Sequence, residues 1–110
     1  MMVLLLKIVP SPENRRELLG ILKSVVGPSS IQPGCQTCEI YEGSLDNEAV
    51  LFVERWDSLS NMNDYIRSAL FARLLVAMEM STRQPEIQFY ETAQVCGMDH
   101  VESLRTAEKL

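Results

Sequence analysis

The fold is decided by the segment from residue 32 to residue 56, which reads QPGCQTCEIYEGSLDNEAVLFVERW. Its two ends, 35–41 and 48–56, have the composition of β-strands, and the polar residues over 42–47 predict a turn between them. Because a strand has a period of two, one face of the second strand is made of Val50, Phe52, Glu54 and Trp56. Two strands joined by so short a turn predict an antiparallel hairpin.

The residues before the hairpin predict a strand and then a helix. Residues 2–9 are apolar at nearly every position, which is typical of a strand that is covered on both faces. Pro12 suits the first turn of a helix, and the pair Gly27-Pro28 suits its end. The sequence therefore predicts a helix over 12–26, with apolar side chains at helical spacing along one side.

The residues after the hairpin complete the order of elements. Ser58 begins a helical region, and Ser68 suits the start of a second helical piece within it. Residues 87–91 alternate as a fourth strand. The order β-α-β-β-α-β predicts one α+β domain over 1–93 with the ferredoxin-like fold, in which helices cover one face of an antiparallel sheet.

The C-terminal extension, 94–110, differs from the domain before it. Asp99 and Glu102 have the spacing of a capping box, so we expect a short helix there. A helix of this length is marginal in water on its own. We therefore expect it to dock on a dimer or over the mouth of a pocket.

Composition limits the partners and the compartment. The chain has 110 residues, a net charge of −5 and three cysteines. An acidic chain lacks the basic surface that nucleic acids and anionic membranes attract, so we expect neither as a partner. The apolar start of the chain has no basic n-region and is interrupted by Lys7, which argues against a signal peptide. We expect a cytoplasmic protein with reduced thiols.

The first strand also predicts an assembly. Residues 2–9 carry apolar side chains on both faces, and the helices of this fold cover only one face of the sheet. An exposed apolar face of that size is unusual for a monomer. A two-fold homodimer is the commonest way to cover it.

These elements together resemble the antibiotic biosynthesis monooxygenase family. The segments that carry the resemblance are QPGCQTCEIY (32–41), LFVERW (51–56), SALF (68–71) and PEIQFYE (85–91). The resemblance implies a dimeric α/β barrel in which the sheets of two subunits face each other. It also implies an apolar pocket between sheet and helices, and oxidation of quinols or phenols by molecular oxygen without flavin or metal.

The chain departs from that family where the chemistry is expected. Many members carry histidines at the positions that Tyr65 and Leu70 occupy here. The haem-degrading relatives use a histidine at the position of Leu75. These departures argue against haem degradation. They also leave open a member of the family with no catalytic activity.

Six residues are candidates for the site. Two of them, Tyr65 and Arg73, would position or deprotonate the substrate, since a phenol relays protons and a guanidinium favours a phenolate. The side chains expected to wall the cavity and bind the substrate are Trp56, Phe52, Phe71 and Phe89. The alternative is an ordinary role for each, with the aromatic residues in the core and Arg73 on a solvated helix face.

The sequence contains two further groupings of polar side chains. Lys7 lies in an apolar strand, and Glu54 is its natural partner, so we expect a structural pair or one that lines the pocket. The side chains that match zinc ligands are Cys35, Cys38, Cys96 and His100. Residues three apart in a strand point to opposite faces, which argues against a metal site. We expect no metal and no other cofactor.

The function that these observations favour is a cofactor-independent monooxygenase that oxidises a small aromatic quinol or phenol with molecular oxygen. The alternative is a non-catalytic dimer that binds a hydrophobic ligand or acts as an interaction module. Either would be a homodimer with a small aromatic or hydrophobic partner molecule.

Overall fold

The computed structural model describes residues 1–43 and 48–108. Its elements are β1 (Met2–Ile8), α1 (Arg15–Ser30), β2 (Cys35–Glu42), β3 (Val50–Trp56), α2 (Leu59–Ile66), α3 (Ala69–Glu79), β4 (Glu86–Glu91) and α4 (Met98–Glu108). The strands form one antiparallel sheet in the order β2-β3-β1-β4. The predicted ferredoxin-like fold is confirmed. The turn predicted over 42–47 lies mostly outside the described residues.

The two faces of the sheet differ in burial. Along β1, Leu4 and Leu6 are fully buried under the helices, whereas Lys7 lies on the face that this chain leaves open. Glu54 is aligned with Leu4, and Lys7 is aligned with Leu51. The predicted pair of Lys7 and Glu54 is therefore wrong, because the two side chains point to opposite faces of the sheet.

Helix α1 is longer at its C-terminal end than the sequence predicts. It passes through Gly27 and Pro28 and ends at Ser30. Proline has no N–H, so Pro28 cannot donate to the carbonyl of Ser24 one turn earlier. The guanidinium of Arg73 on α3 donates to that carbonyl instead, with 3.4 Å between Nη1 and the oxygen. A contact from another helix thus replaces the missing bond.

The second helical region is divided as predicted. Ser58 caps α2 by accepting a hydrogen bond from the backbone N–H of Asn61, and Ser68 caps α3 by accepting one from Phe71. A cap satisfies a backbone N–H that a helix start leaves without a partner. The break at Ser68 is therefore encoded locally.

The loop that enters β2 is tied to the start of α2. Gly34 has a φ of 84°, a conformation that L side chains rarely adopt. A Cβ at this position would overlap the side chains of Asp57 and Asn61. The carbonyl of Gly34 also accepts a hydrogen bond from the backbone N–H of Asp57 at 2.8 Å. Only glycine fits the loop at this point.

A β-bulge changes the orientation of the two cysteines in β2. The register shifts between Cys35 and Thr37, so that Cys35 is aligned with Trp56 and Cys38 with Glu54. Both cysteines therefore lie on the helix-covered face. The expectation that they point to opposite faces is wrong, because the extra residue of the bulge restores the phase of the strand.

The C-terminal helix α4 forms where a short helix was predicted. Its apolar side chains are exposed, and they are Met98, Val101 and Leu104. No helix within residues 1–43 and 48–108 has the length and apolar character needed to cross a membrane.

Candidate active site

A carboxylate lies inside the apolar core. Glu54 projects from β3 between Phe52 and Trp56, which are fully buried, and its own side chain is also fully buried. Among the described residues, neither oxygen of its carboxylate has a partner at hydrogen-bonding distance and angle. A carboxylate in such surroundings is costly to ionise.

The surroundings of Glu54 raise its pKa. Burial is the largest influence, and it raises the pKa of this carboxyl group from 4.5 to about 7. The polar groups of Tyr65, Cys38 and Ser29 face the carboxylate and lower its pKa in part. A carboxyl group with a pKa near neutrality can both accept and release a proton at physiological pH.

The groups that face Glu54 come from three different elements. Ser29 is fully buried on the last turn of α1, Cys38 is buried on β2, and Tyr65 is buried on α2. Ser29 Oγ donates a hydrogen bond to Tyr65 Oη at 3.2 Å. We call the four residues Ser29, Cys38, Glu54 and Tyr65 the Glu54 cluster.

Glu54 is the one member of the cluster that titrates near neutral pH. Burial, followed by the charge of Glu54, raises the pKa of Tyr65 well above its usual value, so that Tyr65 remains a phenol. The same two influences raise the pKa of Cys38, and they raise the pKa of Cys35 to about 11. Protonated thiols are poor nucleophiles. Tyr65 and the thiols therefore keep their protons near neutral pH, and Glu54 is the group of the cluster whose protonation changes there.

Aromatic rings pack against the cluster. The ring centroids of Trp56 and Tyr65 lie 4.6 Å apart, and those of Tyr65 and Phe71 lie 5.6 Å apart at nearly a right angle. These contacts fix the ring plane of Tyr65. Trp56 Nε1 is buried and makes no hydrogen bond to a described residue.

A cavity reaches from these rings to the surface. Its volume is about 190 Å³, and its lining residues are Gln32, Pro33, Trp56, Asn61, Asp64 and Tyr65. Pro33 and Asp64 are exposed, so they mark its outer end. Trp56 and Tyr65 are the buried residues of its lining, and Glu54 is not one of the lining residues. A planar molecule in this cavity would contact Tyr65 rather than Glu54 itself.

A larger surface groove lies at the other end of the molecule. Its volume is about 470 Å³, and its lining residues are Pro10, Pro12, Arg15, Glu42, Gly43 and Glu48. Arg15 and Glu42 form an ion pair at 2.7 Å within it, and both side chains meet solvent. None of the described residues that line this groove is aromatic. The smaller cavity, which is lined by Trp56 and Tyr65, is therefore the better candidate for the binding site of a small aromatic molecule.

The structure brings four of the six predicted site residues into one region. Trp56, Tyr65 and Phe71 are in contact, and Phe52 lies in the same core. Phe89 on the edge strand β4 is 43% exposed and lies two strands away from Glu54. Arg73 is exposed on α3 and binds the carbonyl of Ser24, so the structure does not place it at the cavity.

The sulfur ligands considered for zinc do not converge. Cys96 is exposed in the segment that follows β4, whereas Cys35 and Cys38 face the core. Within residues 1–43 and 48–108, no group of three or more His, Cys, Asp and Glu side chains is arranged to hold a metal ion.

Three residues of the Glu54 cluster, Ser29, Cys38 and Glu54, are absent from the six site candidates that the sequence suggested; Cys38 was considered only as a zinc ligand and Glu54 only as a partner of Lys7. Glu54 had a visible signal, since it is the one charged residue on a strand face otherwise made of Val50, Phe52 and Trp56. Ser29 had none, because Gly27-Pro28 before it reads as the end of a helix.

The antiparallel sheet in the order β2-β3-β1-β4, with helices on one face, places this chain in the class of ferredoxin-like α+β proteins. The model of one family, described as antibiotic biosynthesis monooxygenase, matches residues 1–75. The chain belongs to this family.

Individual relatives are distant. An uncharacterised protein of Synechocystis is 21% identical over 84 residues, which are 76% of this chain and 57% of that protein. The chain thus spans little more than half the length of this curated relative.

Solved structures share the fold. A proposed antibiotic biosynthesis monooxygenase from Deinococcus radiodurans has a TM-score of 0.80 and 17% identity, with 88% of this chain and 97% of that chain covered. A protein from Mycobacterium tuberculosis has a TM-score of 0.78 and 18% identity, with 87% and 98% covered. At these identities the likeness is one of fold alone.

Proposed function

We propose that this protein is a monooxygenase that oxidises a small aromatic quinol or phenol with molecular oxygen and draws the electrons from the substrate. Membership of the antibiotic biosynthesis monooxygenase family supports the reaction class. The observation that carries the proposal is the buried Glu54, whose pKa is raised to about 7 and which is faced by Tyr65, a lining residue of the cavity. Such a group is suited to accept a phenolic proton at neutral pH.

The first step is removal of the substrate proton. A phenol in the cavity packs against Trp56 and offers its O–H to Tyr65 Oη. Tyr65 accepts this proton from the substrate and at the same time gives its own proton to Glu54. The side chain of Tyr65 is therefore neutral before and after the transfer. This route uses Tyr65 as a relay, which fits a pKa raised well above its usual value.

The second step is attack on oxygen. The phenolate transfers one electron to O₂, and the resulting substrate radical and superoxide combine to form a C–O bond. The proton held by Glu54 returns through Tyr65 to the peroxide. Removal of the ring C–H proton from the carbon that bears the peroxide then forms the new C=O bond and breaks the O–O bond. One oxygen atom stays in the product, and the other leaves as hydroxide, which takes up the ring proton and departs as water. For a phenol with an open ring position the balance is phenol plus O₂ to quinone plus water.

The apolar walls support this chemistry. Trp56 and Phe71 are buried around Tyr65, so water has little access to the charged intermediates. Exclusion of water strengthens electrostatic interactions and suppresses the release of reactive oxygen species.

We also propose that the protein works as a homodimer. The open face of the sheet carries Val3, Leu5 and Val53, which this chain leaves partly exposed. A second copy packed on this face would bury them. Sedimentation of Val53→Asp should show a weaker dimer than the wild type, and an unchanged dissociation constant would remove this face as the interface.

Oxygen uptake and mass spectrometry with ¹⁸O₂ test the reaction. We expect protein-dependent uptake with at least one member of a panel of phenols, quinols and anthrols, and one labelled atom in the product. Glu54→Gln should lower the rate by about 10²–10⁴-fold, the usual effect of removing a general base. Tyr65→Phe should lower it as well, since it breaks the relay. Glu79→Gln, an exposed acid on α3, is the matched control.

A second function is favoured by Tyr65 and Leu70, which stand where many members of the family carry histidines. In that case the protein would bind a hydrophobic ligand without turning it over. If no substrate gives uptake above the rate of autoxidation but a ligand quenches the fluorescence of Trp56, the binding function replaces the enzymatic one.

A further inference from the structure

The last turn of α1 delivers a hydroxyl group to the core. Past Gly27 and Pro28 the helix continues to Ser30, and Ser29 is the residue of this turn that becomes fully buried. Its Oγ donates to Tyr65 Oη at 3.2 Å. Among the described residues, this is the sole hydrogen bond of good geometry at Tyr65 Oη.

We propose that Ser29 is a positioning residue that sets the rotation of the Tyr65 hydroxyl and directs its proton towards Glu54. The inference rests on the proposed function, because it assigns a role within the same site. A phenolic hydroxyl has one proton to donate and lone pairs that accept. When Ser29 donates to a lone pair of Oη, the Tyr65 proton is left for another acceptor, and Glu54 is the acidic group that faces this hydroxyl.

The ring of Tyr65 is already held in place by other contacts. Trp56 packs on one side of it and Phe71 meets it edge-on. With the ring plane fixed, rotation of the hydroxyl about the C–O bond is the freedom that remains. Ser29 restricts that rotation.

The last turn of α1 forms although Pro28 removes one of its backbone hydrogen bonds. This cost in stability favours a specific role for the turn. Pro28 removes a backbone donor from the helix, and Arg73 has to supply another to the carbonyl of Ser24. The one residue that the turn buries is a serine. An apolar side chain would gain free energy from burial, whereas a hydroxyl loses free energy unless it is hydrogen-bonded.

The groups that face Glu54 determine which ionisation would cause a change at Tyr65 in a pH titration. From α1 it is faced by Ser29, from β2 by Cys38 and from α2 by Tyr65. The aligned residue of β1 is Leu4, which does not ionise. Burial raises the pKa of both Cys38 and Tyr65, so neither loses its proton near pH 7. A transition near neutrality at Tyr65 thus belongs to Glu54.

Carbon-13 NMR of the tyrosine Cζ atoms tests the positioning without any turnover. The chain has three tyrosines, and Tyr65→Phe assigns the resonance of Tyr65. In the wild type we expect this resonance to shift with a midpoint near pH 7 and Glu54→Gln to abolish the shift. Ser29→Ala should displace the resonance at pH 6 and reduce its pH-dependent excursion by at least half.

A control variant and a rescue variant distinguish the effect of the Ser29 hydroxyl on Tyr65 from the effect of the volume that the Ser29 side chain fills. Ser30→Ala removes a hydroxyl from the same turn, but Ser30 is exposed and binds the carbonyl of Val26, so the Tyr65 resonance should not change. Ser29→Thr keeps the hydroxyl and should restore the wild-type resonance. If the added methyl of Ser29→Thr prevents folding, the comparison of the Tyr65 resonance in Ser29→Ala with that in Ser30→Ala still tests the inference. A Tyr65 resonance and titration that are unchanged in Ser29→Ala would overturn the inference.

Kinetics complete the test where a substrate is found. Ser29→Ala should lower kcat about tenfold, the effect of one net hydrogen bond, with KM changed by less than about threefold. An unchanged kcat would overturn the inference while leaving the proposed function intact. If no substrate turns over but the NMR response is as expected, the monooxygenase fails and the positioning of Tyr65 by Ser29 stands.

Discussion

The free energy of unfolding should fall as the pH rises from about 4.5 to about 7, and Glu54→Gln should abolish this fall. In the unfolded chain the carboxyl group of Glu54 ionises near its ordinary pKa of 4.5, and in the folded protein it ionises near 7. Between these values the unfolded state has released the proton and the folded state still holds it. The folded state therefore binds more protons, and rising pH favours unfolding.

The size of the effect follows from the displacement of this pKa. A change from 4.5 to about 7 corresponds to about 3 kcal/mol, at about 1.4 kcal/mol for each pH unit. That is a large part of the 5–15 kcal/mol or so that stabilises a typical domain. The stabilisation is fully present below pH 4.5 or so and is lost by about pH 8.

Glutamine at position 54 keeps the shape of the side chain and cannot ionise. At pH 8 the Glu54→Gln variant should therefore be as stable as the wild type or more stable, by up to about 3 kcal/mol less the cost of a buried amide, which is about 1–3 kcal/mol. At pH 5 the variant should have no advantage. The ranking of the two proteins should thus change with pH.

Urea unfolding monitored by tryptophan fluorescence measures this directly. Trp56 is the single tryptophan and is fully buried beside the Glu54 cluster. The measurements would run at pH 5, 6, 7 and 8 at one protein concentration, because association would add to stability. Glu79→Gln, which removes an exposed carboxylate, should keep the wild-type slope. The reasoning is refuted if wild-type stability is flat or rises over this range, or if Glu54→Gln retains the slope.

Three further predictions concern the framework. Arg73→Ala should lower the unfolding free energy by at most about 1 kcal/mol, because its exposed hydrogen bond to Ser24 is long; loss of oxygen uptake at unchanged stability, in assays at the same pH, would contradict this structural role. Gly34→Ala should cost about 2 kcal/mol or more in urea unfolding, since a positive φ is strained for alanine and its Cβ would overlap Asp57; an unchanged midpoint would contradict it. Deletion of 94–110 should weaken the dimer in sedimentation if α4 docks on the partner subunit, and an unchanged dissociation constant would remove that role.

The order of the elements could be predicted because its signals are local. Ser58 and Ser68 each cap a helix through a backbone N–H three residues ahead, so the break between α2 and α3 is written in the sequence around it. The strands of the hairpin follow from alternation and a short turn. None of these features depends on a residue far away in the chain.

The features that the sequence did not predict depend on distant residues. Helix α1 continues past Pro28, and Arg73, almost fifty positions after Ser24, donates to the Ser24 carbonyl the hydrogen bond that proline cannot. The bulge at the start of β2 is defined only by its alignment with β3, and it places Cys38 beside Glu54. Local patterns carry no information about such pairings.

The position of Glu54 opposes stability, and one variant tests whether the acid serves the proposed reaction. Every other buried residue on its face of β3 is apolar, so an apolar or neutral side chain would be the stable choice there. The pH dependence of stability follows from the buried acid alone, so Glu54→Gln should be at least as stable as the wild type at pH 8 whether or not Glu54 takes part in a reaction. If Glu54 is the base of a reaction, the same variant also loses oxygen uptake at that pH. A slower reaction in a protein of equal or greater stability is a result that loss of folding cannot produce.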